Sequence, residues 1–174
     1  MKPAVAVAFA MLVACGQRQG PPPAKTVRIG DGDLISRNKE AVSLESKDID
    51  NYIARHGLEM TTSATGLRFR LLRDTPGPVA QAEDLVTVNY SVTLIDGRAC
   101  YASDPGAPES FRVEHDDVES GLHEGIQLLS PGDSALLIIP SHRAFGLAGD
   151  MDKIPMRSTL IYHVGLVNVR KVKP

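Results

Sequence analysis

Residues 118–146 constrain this chain more than any other stretch. They read as a short amphipathic segment, a sharp break, an uninterrupted apolar run and an aromatic-bearing loop. Val118, Leu122, Ile126 and Leu129 recur at helical intervals and lay one apolar stripe along a helix. Asp116 and Asp117 precede the stripe and Glu119 falls in its first turn, where acids cap free amides and oppose the helix dipole. Ser130-Pro131-Gly132 ends the helix, because proline cannot continue the ladder and glycine accepts the turn. The run from Ala135 to Ile139 has no polar alternation, which predicts a strand covered on both faces. So short a helix is unstable alone in water and must lie across a sheet.

The sheet is legible on either side. Val86, Val88, Tyr90, Val92 and Leu94 alternate with Thr87, Asn89, Ser91 and Thr93, predicting a strand over 85–95 that Asp96-Gly97 ends in a turn. Leu67, Phe69 and Leu71 alternate with Arg68 and Arg70, predicting a half-exposed strand. A short strand is expected at Phe111-Arg112-Val113 and a long β-branched one over 159–171, with a weak candidate at Val27-Arg28-Ile29. One or two short helices are expected over 35–55, with Ser46 marking a start and His56-Gly57 the stop. A chain of 174 residues with 43% hydrophobic content can bury one such core. The expected class is α+β, an antiparallel sheet with one helix packed on it.

The first residues read as a leader. Lys2 precedes an apolar run over 4–14, too short to span a bilayer permanently but suited to export. Leu12-Val13-Ala14-Cys15 matches a bacterial lipobox, with Cys15 the acylated residue. Gly16 after it points to the outer membrane, where acyl chains supply the anchor at about 0.8 kcal/mol per buried methylene. Residues 1–14 are then the signal peptide and 15–25 a proline-rich tether; 26–64 form a short helical segment and 65–174 the main domain. The expected location is the cell envelope, anchored in the outer membrane and facing the periplasm. A formal charge of −2 without a long basic run argues against nucleic acid. The five histidines are scattered, and His115 and His123 lack metal-site spacing. Ser141, His142 and Asp150 lack a nucleophile elbow, so a hydrolase is discounted. Cys100, left without a disulfide partner, reads as a small buried hydrophobe ahead of a redox role.

Several separated motifs occur together in one order. Val86-Thr87-Val88-Asn89-Tyr90, Asp96-Gly97, Phe111, Gly121 through Gly132, Ile139-Pro140, Ala144-Phe145-Gly146, Ile154-Pro155 and Thr159-Leu160 resemble the FKBP-type peptidyl-prolyl isomerases. The lipobox, helical preface and Cys100-Tyr101 are also similar to the gliding-motility-associated lipoprotein branch. The resemblance implies a twisted antiparallel sheet wrapped around one short helix, with an apolar pocket between them. It places Tyr90, Phe111, Val118, Glu119 with its backbone amide, Leu122, Phe145, Ile154 and Tyr162 around that pocket, with Cys100 and Tyr101 at its edge. It implies no covalent catalyst, cofactor or metal. The partners are proline-containing polypeptides and, through Cys15, the membrane. A monomer is expected, because the segment before Thr65 is shorter than the dimerisation arms of some relatives.

The chain departs from the family pattern at four places. Leu122 stands where tryptophan is usual, Glu119 where an apolar residue is usual, Tyr101 where an acid is usual and Cys100 where phenylalanine is usual. Outside such a family Phe111, Leu122 and Tyr162 would read as plain core. Tyr90 on an apolar face needs a partner for its hydroxyl, and Phe145 is an odd aromatic for a polar loop. Two functions stay open: an isomerase for exported proteins, and an FKBP-fold binding or chaperone module of reduced activity in an envelope assembly.

Overall fold

The computed structural model of the chain describes residues 31–172. Cys15, the leader, the 15–25 tether and the strand candidate at Val27-Arg28-Ile29 lie outside the described residues. Two α-helices and seven strands follow in the order α1 (Asp31–Arg55), β1 (Thr61–Thr62), β2 (Arg68–Arg73), β3 (Leu85–Leu94), β4 (Ala99–Ala102), β5 (Glu109–Arg112), α2 (Ser120–Ile126), β6 (Ser134–Ile139) and β7 (Leu160–Arg170). All strand pairs are antiparallel. The sheet runs β1-β2-β6-β7-β3-β4, and β5 shares the outer edge of β3 with β4.

The unbroken apolar character of β6 has a direct explanation. Leu137 and Ile139 face the main core with Leu122, Ile126 and Leu129, whereas Leu136 and Ile138 face the opposite way. There they pack with Ile161 of β7 and Ile49 of α1, joined by Tyr52 and Ile53. The sheet is therefore sandwiched: α2 covers one face and α1 part of the other. The short helix α2 packs on the sheet as expected, and the helical preface lies against the opposite face. Residues 31–55 form one continuous helix of 25 residues, longer than the one or two short helices expected over 35–55. Ser46 is not a helix start but lies within α1, where its hydroxyl accepts from Arg68 Nη2 at 2.7 Å.

Arg68 itself departs from expectation. The alternation with Leu67, Phe69 and Leu71 puts it on the open face of a half-exposed strand, yet it is only 4% exposed, while Leu71 and Leu72 are open to solvent. A buried guanidinium requires acceptors, and Asp50 at 2.8 Å and the Gly66 carbonyl at 2.6 Å join Ser46 in supplying them. Arg68 thus ties α1 to the start of β2.

Two glycines set how closely α2 lies on β6. A Cβ on Gly121 would run into Ile139, and one on Gly125 into Leu137. Close packing here needs glycine, because the neighbours are themselves wedged into the core. The helix is also shorter at its start than the apolar stripe suggests. It begins at Ser120, and Asp116 and Asp117 do not cap it. Asp116 Oδ2 instead accepts the Arg112 N–H at 2.7 Å, closing the end of β5, and Val118 lies in the turn between. Glu119 is therefore the N-cap residue, with extended backbone, and not part of the first turn.

Candidate functional site between the sheet and its short helix

Register brings the sheet's contribution together. Tyr101 of β4 and Tyr162 of β7 both lie opposite Val92 of β3, so the three side chains share one face. Tyr162 also lies opposite Leu137 of β6. Phe111 of β5 sits opposite Val86. Tyr90 stands at the gap between β4 and β5, where Ser103 replaces a strand partner. The Tyr90 N–H donates to Ser103 Oγ at 3.1 Å, and the Ser103 N–H donates to the Tyr90 carbonyl at 3.0 Å. The Tyr90 and Tyr162 rings are 6.1 Å apart, tilted against one another.

The helix and loop close the other side. Leu122 and Tyr162, 5% and 4% exposed, lie deep, with Phe111 and Ile154 buried beside them. Cys100 is buried at the back of the same core. Val118 and Phe145 pack partly exposed against this core. A hollow of about 460 Å³ at the mouth is lined by Asp117, Val118, Glu119, Ser120, Ala144 and Phe145. Of the ten residues that the sequence nominated, Cys100, Phe111, Leu122, Ile154 and Tyr162 are buried in this core, Tyr90, Tyr101, Val118 and Phe145 pack against it, and Val118, Glu119 and Phe145 line the hollow. A separate hollow of about 320 Å³, between α1 and the loop after β6, contains none of them.

The cleft's polar groups were not legible in the sequence. Each pocket tyrosine donates its hydroxyl to a carboxylate. Tyr90 reaches both oxygens of Glu109 at 3.1 Å, and burial followed by Glu109 pushes its hydroxyl up to about 12. Tyr101 donates to Asp150 and, at 3.3 Å, to Asp152; the Asp150 bond and burial raise its pKa well above the ordinary phenol value. Tyr162 donates to Glu119 Oε1 at 2.7 Å, and burial together with that carboxylate keeps it protonated far into alkali. Desolvation pushes Asp150 up, yet the Tyr101 hydroxyl and the amides of Asp152 and Ile154 outweigh it and hold the carboxyl below its ordinary range. An acid absent from position 101 thus returns on the loop after β6.

Glu119 does more than stand at the rim. Its side chain turns inward to the buried Tyr162, while its N–H meets no protein acceptor among the described residues. His123, nominated by sequence only to be dismissed as a metal ligand, braces this turn from below. Its Nδ1 accepts the Glu114 N–H at 2.9 Å and its Nε2 bonds the Asp116 carbonyl at 3.1 Å. A carbonyl can only accept, so Nε2 is the donor of that bond. Among the described residues no group of three or more His, Cys, Asp or Glu is placed to hold a metal ion.

Comparison with known proteins decides the family. The family described as FKBP-type peptidyl-prolyl cis-trans isomerase matches residues 77–167, more than half of the chain. This chain belongs to the FKBP-type peptidyl-prolyl cis-trans isomerase family. The FKBP-type isomerase FkpA of Escherichia coli strain K12 is 39% identical over 146 residues, covering 82% of this chain and 53% of that protein. FK506-binding protein 1 of Debaryomyces hansenii is 40% identical over 87 residues, covering 49% of this chain and 78% of its own. The crystal structure of Escherichia coli FkpA superposes with a TM-score of 0.66 at 33% identity, covering 81% of this chain and 66% of that one. A peptidyl-prolyl isomerase from Pseudomonas syringae gives 0.65 at 28% identity, covering 76% and 96%. The chain spans about half the length of the Escherichia coli relative. The FKBP fold, with its sheet wrapped around α2, therefore accounts for the cleft. No helix among the described residues is long and apolar enough to cross a membrane.

Proposed function

We propose that the protein is a peptidyl-prolyl cis-trans isomerase that assists exported proteins at the cell envelope. It acts as a monomer tethered through acylated Cys15 to the outer membrane, facing the periplasm. The observation that carries this reading is the apolar cluster between the sheet and α2, where Phe111, Leu122, Ile154 and Tyr162 are buried and Tyr90 and Phe145 pack against them half-exposed.

The chemistry needs no nucleophile. Amide resonance sets a barrier of roughly 20 kcal/mol to rotation of an X–Pro bond. The planar amide is charge-separated, whereas the twisted transition state has lost that resonance. A cleft floored by buried Leu122, Phe111 and Tyr162 withdraws water from the amide and so favours the twisted form relative to the planar one. The unclaimed Glu119 N–H is placed to hold a flanking carbonyl. Exposed Leu147, Met151 and Met156 on the adjoining loop offer apolar contact to an extended polypeptide.

A second reading has specific support: Glu119 occupies the Tyr162 hydroxyl, and Leu122 gives the floor no large aromatic ring. On that reading the protein is an FKBP-fold binding or chaperone module of low activity. Proline-limited refolding, measured with a soluble form beginning at Lys25, separates the two. Acceleration that Phe145→Ala reduces supports the isomerase. No rate above background across several proline substrates sinks it.

A further inference from the structure

Of the two carboxylates that line the mouth, Glu119 and Asp117, Glu119 alone is also bonded to a buried pocket side chain. Its Oε1 accepts the Tyr162 hydroxyl at 2.7 Å, while among the described residues neither a donor nor a cation meets Oε2. Asp117 lines the same hollow and likewise has no hydrogen bond or ion pair among the described residues. The cations close by are committed elsewhere. Arg143 pairs with Glu124 at 3.1 Å, and Lys153 Nζ lies 4.7 Å over the Tyr101 ring. The carboxylate is flanked by Val118 and Phe145, so a segment docking there displaces water and strengthens any charge pairing. The mouth therefore presents one half of an ion pair, on the wall where a proline segment enters.

We propose that Glu119 sets the substrate specificity of this pocket, selecting polypeptide segments with lysine or arginine beside the proline. The inference rests on the isomerase reading of the same pocket. A basic side chain flanking the proline meets Glu119 Oε2, with Asp117 adding to the attraction. An acidic side chain there faces both and is repelled. Glu119 keeps its bond to Tyr162 throughout, so the deep wall stays in place while the outward oxygen reads the substrate.

The test compares kcat/KM of the full chain on otherwise identical proline peptides carrying lysine, norleucine or glutamate immediately before or after the proline. The lysine peptide should exceed its isosteric norleucine counterpart by about fivefold at low ionic strength, at one of the two positions, with glutamate below both. At about 0.5 M salt the ratio should fall toward one. Glu119→Gln should bring it to about one without added salt. Equal rates for lysine and norleucine at both positions overturn the inference and leave the isomerase reading standing. Acceleration of no peptide overturns the isomerase reading beneath it. A lysine preference that survives Glu119→Gln shows that another group reads the charge and overturns the assignment. Should that variant not fold, salt titration of the unaltered chain decides, and a ratio indifferent to salt overturns the proposal.

Discussion

Glu45 of α1 holds Ser141 at the foot of the pocket loop: Oε1 accepts the Ser141 N–H at 2.6 Å and Oε2 its hydroxyl at 2.8 Å. Thr159, at the loop's other end, donates to Oε1 at 2.7 Å. One carboxylate from the N-terminal helix thus joins both ends of the loop that carries Phe145, Asp150 and Ile154. Glu45→Ala should cost about 2 kcal/mol, because charge-assisted bonds are lost and a backbone amide loses its acceptor. Denaturant unfolding checks this. The looser loop should also raise KM in the isomerase assay, whereas Glu40→Ala on exposed α1 surface changes neither.

Gly125→Ala should destabilise by about 1–3 kcal/mol, since the added methyl meets Leu137 and forces α2 from β6. Thermal unfolding measures the loss. Gly125→Ala combined with Leu137→Val should recover part of it, because the two side chains contest the same space.

Phe145→Ala removes the wall of the mouth while leaving the deep core intact. The expected outcome is a fall in kcat/KM of about tenfold, equivalent to about 1.4 kcal/mol of transition-state stabilisation. Stability should change by less than about 1 kcal/mol, as Phe145 is only partly buried. Tyr90→Phe removes the bond to Glu109, and its effect on turnover reports how much that hydroxyl orients the cleft.

The pH dependence has a defined sign at each end. Burial and then Glu109 raise Tyr90 from 10.0 to about 12, so the folded chain keeps a proton that the unfolded chain releases. That contribution is complete below pH 10 and is lost as pH rises through about 12. Tyr90→Phe should flatten this alkaline limb of the unfolding free energy. Asp150 behaves oppositely. Despite desolvation, bonds from Tyr101 and two amides hold it below 3.8, so its contribution is present above that value and lost as pH falls through the lower folded one. Tyr101→Phe should weaken the acid limb, read by equilibrium unfolding from neutral pH downward.

How much of this was legible follows from the range of each interaction. The alternation along β3 and the stripe of Leu122, Ile126 and Leu129 are local consequences of which face a backbone period buries, and both appear in the fold as read. So does the coverage of β6 on both faces. The start of α2 is not legible, because Asp116 looks like a cap in sequence, while in space the Arg112 amide claims it.

The sequence by itself determined the sheet and the short helix, since periodicity and ordered motifs record burial directly. Only the tertiary structure decided what Arg68, Glu45 and Glu119 do. A charged side chain in a local pattern reads as solvated surface. Its role here depends on partners 18, 96 and 43 positions away along the chain, which only the closed sheet brings within bonding distance. Burial then makes those partners obligatory, because a charge withdrawn from water without one is costly.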